Sequence, residues 1–244
     1  MAGNSGSPRR HSRSAGILAG VVIAETFVSL QGEGGLAGTP SFFIRTTGCN
    51  LRCAWCDTPY TSWQPEGQRR SVAELVAEAA RAGQRHVVLT GGEPLLQREI
   101  TTLTAALADA GHHLTVETAG TVAPPFVCHL LSVSPKTGNS TPLGDWRSRH
   151  EQRRRDRRPL RTLLAAHPNY QLKFVVRDAG DLPEIEEVLA EIGAERGRVL
   201  LMPEGRSAAE VAARAPAVAA LCLKHGFRYS PRLQLDLFGG GRGV

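Results

Sequence analysis

Residues 86–117, HVVLTGGEPLLQREITTLTAALADAGHHLTVE, have the pattern of one complete strand–helix–strand unit. Two short apolar runs, His86–Thr90 and His113–Glu117, have the length and the residue types of strands. The residues between them have a helical pattern, and Gly111 suits the left-handed position at which such a helix ends. Strands joined by a crossover helix run parallel. This unit therefore predicts an α/β protein with a largely parallel sheet.

The same alternation of apolar runs and helical patterns continues on both sides of this unit. The other predicted strands are Val21–Val28, Phe42–Arg45, Leu130–Ser134, Gln171–Val176, Arg198–Met202 and Arg228–Leu235. Residues 137–169 show no clear pattern, so eight complete repeats do not fit. The sequence predicts an incomplete, open (β/α) barrel, in which the chemistry gathers beyond the carboxyl ends of the strands.

Helix boundaries carry recognisable capping signals. The S-x-x-E patterns at 71–74 and 207–210 predict capping boxes, in which side chain and backbone satisfy each other's unpaired groups. The D-x-x-E segment at 181–184, with Pro183 in its first turn, is a weaker case of the same pattern. Gly83 suits a helix C-terminus, and Pro216 is expected to kink or interrupt the last long helix.

Length and composition favour one globular domain. The chain has 244 residues, 41% hydrophobic and 21% charged, which excludes collagen, coiled coils and small disulfide scaffolds. Its apolar stretches are too short and too rich in glycine to cross a bilayer. Residues 1–16 predict a disordered basic extension, and residues 17–244 a single domain with an arginine-rich insert at about 137–162. No secretory signal is visible, so we expect a cytoplasmic protein.

The positive charge is concentrated in one place. Residues 147–161 hold eight arginines against Glu151 and Asp156, which equals the formal net charge of +6 for the whole chain. A nucleic-acid-binding face would spread over several elements. We therefore expect a solvated loop or helix face and no nucleic-acid partner, with an RNA or another anionic partner as the alternative.

Three of the five cysteines lie together, in a C-x3-C-x2-C run at Cys49, Cys53 and Cys56. Clustered thiolates in a reducing compartment suggest a site for zinc, copper(I) or an iron–sulfur cluster. A structural zinc site normally has four protein ligands in two pairs, and this region has no second pair. Three ligands to a four-iron cluster leave one iron open to a small molecule. Cys128 and Cys222 are expected to be buried core residues.

The cysteine run resembles the cluster loop of radical S-adenosylmethionine (SAM) enzymes. The surrounding segments are similar to the 7-carboxy-7-deazaguanine synthase family within that superfamily. The similar segments are FVSLQGEG at 27–34, G-x-P at 38–40, FIR at 43–45 and CDTPY at 56–60. This resemblance covers the chain from Val21 to its end, apart from the arginine-rich insert.

The resemblance implies a 4Fe-4S cluster on Cys49, Cys53 and Cys56, with SAM bound at the open iron. Paired glycines let a backbone approach a ligand closely, and Glu93 could pair with an ammonium group. The residues implied in SAM binding are Trp55, Cys56, Asp57, Gly92, Glu93, Ser134, Pro135, Lys136, Met202, Pro203, Glu204 and Gly205. Many relatives have Gln at the position of Met202.

The resemblance also implies a pterin cavity and a magnesium site. The residues implied in substrate binding are Leu30, Gln31, Gly32, Arg45, Thr90 and Glu117, with Glu33 in the same cavity. Arg45 suits the substrate carboxylate, because a guanidinium offers two parallel donors. Thr58 resembles the threonine that coordinates magnesium in this family. Gln234 stands where we would expect His in many relatives.

The implied reaction converts 6-carboxy-5,6,7,8-tetrahydropterin to 7-carboxy-7-deazaguanine with loss of ammonia, a step of queuosine and 7-deazapurine biosynthesis. The implied partners are the pterin, an electron donor such as flavodoxin or ferredoxin, and a second copy of the chain. Two alternatives stay open from the residues alone. One is a glycyl-radical activating enzyme, and the other is a zinc-dependent nucleic-acid-binding module.

Overall fold

The computed structural model describes residues 20–244, so the extension predicted for residues 1–16 lies outside the described residues. A single nine-stranded sheet organises this part of the chain, with the order β3-β1-β2-β4-β5-β6-β7-β8-β9. The strands are β1 (Val21–Leu30), β2 (Pro40–Thr46), β3 (Gln68–Arg70), β4 (His86–Gly91), β5 (His113–Thr118), β6 (Leu130–Val133), β7 (Tyr170–Val176), β8 (Val199–Pro203) and β9 (Arg228–Tyr229).

The sheet is open and largely parallel. The strands β2 and β4 to β9 run parallel to one another, whereas β1 is antiparallel to both β2 and β3. The strands β3 and β9 stand at opposite ends of the order and do not pair with each other. The prediction of an incomplete, open (β/α) barrel is confirmed.

Seven α-helices accompany the sheet within residues 20–244. They are α1 (Val72–Ala82), α2 (Ile100–Asp109), α3 (Arg147–Arg155), α4 (Arg158–Ala166), α5 (Leu182–Ile192), α6 (Ala208–His225) and α7 (Leu233–Asp236). The helices α1, α2, α4, α5 and α6 bury apolar side chains against one face of the sheet. None of the seven is both long enough and apolar enough to span a membrane.

The two faces of the sheet have different chemistry because successive side chains in a strand point to opposite sides. One face carries the core residues Phe42, Ile44, Val87, Leu89, Leu114, Val116, Leu131, Val133, Leu172, Phe174, Val176, Val199 and Leu201. The alternate positions line a cavity with Phe43, Arg45, Thr90, Glu117, Ser132, Lys173, Val175 and Met202. The parallel strands β2 and β4 to β8 therefore each contribute to the core and to the cavity at once.

Capping follows the sequence pattern in part. The Ser71–Glu74 capping box is complete, and α1 ends at Gly83 with φ 69°. Ser207 caps α6, but Glu210 accepts the backbone N–H of Arg206 instead of completing the box. The prediction for 181–184 is wrong, because Asp181 makes no cap bond to its own helix. The helix α6 continues through Pro216 without interruption.

Three sequence predictions of secondary structure need correction. The strand expected over 228–235 stops at Tyr229, because Pro231 has no N–H for the ladder, and a short helix follows. The strand β3 was not predicted, since its three residues are polar. Residues 147–166 form two helices, the first so rich in arginine that no apolar period marks it.

The arginine-rich run is not a uniformly solvated face. Arg155 and Arg158 are exposed as expected. Arg154 and Arg157 are buried and form ion pairs with Glu184 and Glu191 on α5. For these two residues the prediction of a solvated face is wrong, because carboxylates on a neighbouring helix replace their water.

Candidate active site

The three clustered cysteines face one cavity at the carboxyl ends of the parallel strands. They lie on the loop after β2, and all three line the cavity together with Trp55, Asp57 and Thr58. Burial, reinforced by the charge of Glu93, raises the pKa of Cys49 to about 11. Burial likewise raises the pKa of Cys53 to about 12. Both thiols are therefore neutral until a metal replaces their protons.

The donor set fits an iron–sulfur cluster better than a single metal ion. In the part of the chain that the structure describes, no three Cys, His, Asp or Glu side chains converge closely enough to hold one ion. A four-iron cluster places its cysteines further apart, because each thiolate binds a different iron. Three soft thiol donors on one loop, open on their cavity side, match that requirement.

A glycine turn packs directly against the cysteine loop. Gly91 ends β4 with φ 130°, and a Cβ on Gly92 would lie 2.4 Å from the carbonyl oxygen of Gly48. The backbone N–H of Glu93 donates to that same carbonyl over 2.9 Å. The turn thus brings bare backbone to the cavity edge, as its sequence predicts.

Glu93 turns away from this cavity. Its carboxylate is fully buried and accepts hydrogen bonds from the Thr118 hydroxyl and from the backbone N–H groups of Ala119 and Leu95. Burial raises the pKa of Glu93. The carboxylate ties the glycine turn to the end of β5, and its predicted contact with SAM stays a prediction.

Buried charges form the floor of the cavity. The Lys173 ammonium lies 2.9 Å from carboxylate oxygens of both Glu33 and Glu117. Burial alone would raise the pKa of Glu33, but the charges of Lys173 and Arg232 outweigh it and lower this pKa to about 2. Burial alone would lower the pKa of Lys173, but the two carboxylates raise it. Glu33 and Lys173 therefore stay ionised around neutral pH.

Neighbouring side chains orient the two carboxylates. Thr90 donates to Glu117 over 3.0 Å, and Gln31 donates to the other oxygen of Glu117 over 3.3 Å. Gln234 donates to Glu33 over 2.7 Å. With Lys173 and Arg232, donors on four segments distant in sequence thus converge on two acceptors.

Arg45 stands on the cavity wall beside Glu25. Its Nε lies 2.7 Å from a Glu25 carboxylate oxygen, but the N–H is not aligned for a hydrogen bond, so the contact is an ion pair. The Tyr60 hydroxyl donates to the same carboxylate over 2.6 Å. Within residues 20–244, no hydrogen bond uses the terminal nitrogens of Arg45. The guanidinium is therefore anchored at one side and available at the other.

Most of the site residues predicted from the sequence line this cavity. They are Leu30, Gln31, Gly32, Glu33, Arg45, Cys49, Cys53, Trp55, Cys56, Asp57, Thr58, Thr90, Gly92, Glu117, Ser134, Lys136 and Met202. Lys136 donates to the Ser134 hydroxyl over 2.7 Å and lies over the Trp55 ring. Those outside the lining are Glu93, Pro135, Pro203, Glu204 and Gly205.

Sequence reasoning missed several residues of the cavity. The sequence predicts a strand around Lys173 and no role for this residue in the site. A lysine in the middle of the apolar run YQLKFVV nevertheless indicates a buried charge that needs a partner. Arg232 pairs with Asp57 and with Glu33 across the cavity. Residues 240–242 and Val244 also line the cavity, and their Gly-rich sequence gave no sign of it.

Comparison with known proteins defines the class first. The profile of the Radical SAM superfamily matches residues 43–159, which include the cysteine loop and the glycine turn. The fold is shared with TYW1 carrying a lysine–pyruvate adduct, at a TM-score of 0.55 and 13% identity over 76% of this chain and 73% of that one. The fold, the thiol loop and this match define a radical SAM enzyme.

Closer relatives define the family. The chain is 46% identical to a 7-carboxy-7-deazaguanine synthase of Rhodopirellula baltica, over 92% of this chain and 89% of the relative. It is 47% identical to one of Halobacterium salinarum, over 94% and 95%. The crystal structure of QueE from Escherichia coli matches with a TM-score of 0.65 and 27% identity, over 86% and 92%. The chain belongs to the 7-carboxy-7-deazaguanine synthase family.

Proposed function

We propose that this chain converts 6-carboxy-5,6,7,8-tetrahydropterin to 7-carboxy-7-deazaguanine with loss of ammonia. The observation that carries this proposal is one cavity in which the three-thiol loop faces a floor of Glu33, Lys173 and Glu117. Relatives that are 46–47% identical over most of their length bear the name of this activity. Neither a glycyl-radical activating enzyme nor a zinc-dependent nucleic-acid-binding module is favoured by these matches.

The thiol loop holds the cofactors in this proposal. Cys49, Cys53 and Cys56 bind the cluster, and SAM lies against the glycine turn and against Ser134 and Lys136. When bound, the cluster and SAM supply a 5′-deoxyadenosyl radical that removes a hydrogen atom from the pterin. The chain contributes orientation of the two ligands and exclusion of water.

The cavity floor binds the pterin. Its pyrimidine ring presents N–H groups, and the side-chain oxygens of Glu33 and Glu117 are matching acceptors. Arg45 receives the substrate carboxylate with its terminal nitrogens. These contacts fix the carbon that loses hydrogen.

Magnesium binds at Thr58 in this proposal. Thr58 lines the cavity, and its hydroxyl oxygen lies 3.9 Å from the Cys56 sulfur. The sulfur is therefore left free to bind the cluster. A hydroxyl oxygen suits magnesium, which takes its other ligands from water and substrate. The metal would order the substrate and stabilise charge during the rearrangement.

The electron donor, the dimer and the location are proposed from the family resemblance. An electron donor of the flavodoxin or ferredoxin type reduces the cluster, the enzyme works in the cytoplasm, and two copies associate. Light scattering on the purified chain measures the dimer, and product formation with each purified donor measures the reductant.

Anaerobic reconstitution tests the proposed function. We expect about four irons per chain and formation of 7-carboxy-7-deazaguanine from the pterin, detected by mass spectrometry. Cys53→Ala should abolish 5′-deoxyadenosine formation, whereas the matched variant Cys128→Ala should keep it. One zinc per chain, or parent-rate SAM cleavage by Cys53→Ala, would contradict the proposal.

A further inference from the structure

A buried histidine on α3 contacts the cysteine loop from outside the cavity. His150 is completely buried, although its helix, RSRHEQRRR, is among the most polar segments of the chain. Its Nδ1 lies 3.1 Å from the backbone nitrogen of Arg52, and its Nε2 lies 2.9 Å from the Ser140 hydroxyl. Both ring nitrogens are therefore engaged.

The direction of these hydrogen bonds follows from the donor types. A backbone N–H can only donate, so Nδ1 of His150 is the acceptor for Arg52, and a neutral ring then carries its proton on Nε2. That proton goes to the Ser140 oxygen, and the Ser140 hydroxyl donates to the Thr137 carbonyl over 2.7 Å. One tautomer satisfies every group in the chain of bonds.

The same histidine–serine unit holds the loop on both sides of Cys53. The carbonyl of Ser140 accepts the backbone N–H of Ala54 over 2.9 Å, while His150 accepts that of Arg52. From the next turn of α3, Arg153 donates to the Asn50 carbonyl. Three backbone groups between Cys49 and Cys56 thus bind to the arginine-rich insert.

The helix that carries His150 is itself fixed. Arg154, next to Arg153, is buried and pairs with Glu151 on its own helix and Glu184 on α5. Movement of α3 away from the loop would break these pairs and leave a charge buried without its partner, which is strongly unfavourable. The insert therefore offers a rigid support rather than a mobile contact.

We propose that His150 is a positioning residue that fixes the backbone of the cysteine loop on both sides of Cys53 and so presets this thiol for the cluster. The statement about the loop rests on the geometry alone. Its consequence for the cluster rests on the proposed function.

The experiment compares three variants of the full-length chain. His150→Phe keeps the ring volume and removes both hydrogen bonds, and His150→Asn can restore an acceptor for the Arg52 N–H. His112→Phe is the matched control, since His112 is also buried and hydrogen-bonded. It lies just before β5, at the amino ends of the strands, whereas the cysteine loop lies at their carboxyl ends. Hydrogen exchange of residues 50–56 is measured before reconstitution, together with the melting temperature. The midpoint potential and electron paramagnetic resonance spectrum of the cluster are measured afterwards.

We expect exchange in residues 50–56 to become about tenfold faster in His150→Phe, since a buried N–H loses its acceptor. The cluster should show an altered spectrum and a shifted potential, with partial recovery in His150→Asn and parent-like behaviour in His112→Phe. Parent-like exchange in His150→Phe, or equal loosening in His112→Phe, would overturn the positioning role. Fast exchange with an unchanged cluster would overturn its consequence for the cluster only. If His150→Phe does not fold, Ser140→Ala replaces it. This variant removes one of the two partners that hold the His150 ring, so exchange in residues 50–56 should become faster by a smaller factor, and parent-like exchange would again overturn the positioning role.

Discussion

At the scale of single residues, the decisive arrangement is a lysine between two carboxylates at the bottom of the cavity. The Lys173 side chain is 3% exposed, so its ammonium has exchanged most of its water for Glu33 and Glu117. Such a group is costly to bury and becomes stable only when its partners are in place. The same ion pairs fix the positions of the two acceptors in the cavity.

Lys173→Met should weaken both pterin binding and folding. Without the ammonium, Glu33 and Glu117 lose the cation that they share, although Glu33 keeps Arg232, and we expect a loss of about 3–5 kcal/mol in the free energy of unfolding. Chemical denaturation measures this loss, and calorimetry measures pterin affinity. Iron content should stay near that of the parent, and Lys224→Met, on an exposed position of α6, should change none of these quantities. Unchanged pterin affinity would remove Lys173 from the binding site.

Arg45→Ala should weaken pterin binding while cluster content and SAM binding remain near normal. Losing the charged partner of a largely desolvated carboxylate costs on the order of 2–5 kcal/mol. Arg45→Lys keeps the charge without the planar fork, so its affinity should fall between the two. Because Arg45 also pairs with Glu25, the melting temperature is measured on the same variants. A general loss of stability with parent-like affinity would make Arg45 a structural residue.

At the scale of elements, the site depends on loops that meet backbone to backbone. The glycine turn after β4 contacts the cysteine loop after β2, and Glu93 ties that turn to the end of β5. Parallel neighbours place these loops at the same edge of the sheet. Close approach is possible only because Gly92 has no side chain.

Gly92→Ala should displace the cysteine loop. The added Cβ would lie 2.4 Å from the Gly48 carbonyl and 2.6 Å from the Thr61 carbonyl, and neither backbone atom can yield cheaply. We expect a loss of about 1–3 kcal/mol in stability and reduced iron incorporation, measured by denaturation and iron analysis. Gly197→Ala is the control, since nothing lies within 4 Å of its added Cβ. Parent-level iron in Gly92→Ala would show that the loop tolerates the displacement.

Sequence reasoning recovered what local chemistry dictates and missed what only the fold brings together. Strand-to-helix alternation and the capping signal at Ser71 depend on neighbours in sequence, so they were predictable. The partners of Lys173 come from the loop after β1 and from β5, and no neighbour in sequence indicates them. His150 looked like part of a solvated run, because its acceptor role depends on Arg52, 98 residues away.

At the scale of the whole molecule, the buried floor links acid stability to the active site. The folded-state pKa of Glu33 is about 2, below its ordinary value of 4.5. A carboxyl with a depressed pKa contributes stability that is fully present above about pH 4.5 and is lost as the pH falls toward 2. Acid therefore protonates Glu33 and breaks its ion pairs at the floor of the cavity as it unfolds the chain.

Glu33→Gln should flatten the dependence of stability on pH between about 4.5 and 2. The parent should lose up to about 1.4 kcal/mol per pH unit from this group, and the variant should lack that share of the slope. Urea denaturation across this pH range measures the difference. Glu195→Gln, an exposed residue, should keep the parent slope. Parallel curves for parent and Glu33→Gln would contradict the assigned ion pairs.

The alternation of core and cavity positions along each strand has a consequence for how this enzyme can diverge. Phe174 and Lys173 are adjacent in sequence, yet one packs in the core and the other lines the cavity. Substitutions that change ligand preference can therefore accumulate at every second strand position. The alternate positions, which hold the sheet and helices together, need not change. A mutational scan that scores protein abundance and turnover separately should show this two-residue rhythm, with abundance falling at one set of positions and mainly turnover at the next. Lys173 is the exception, because its ion pairs contribute to both.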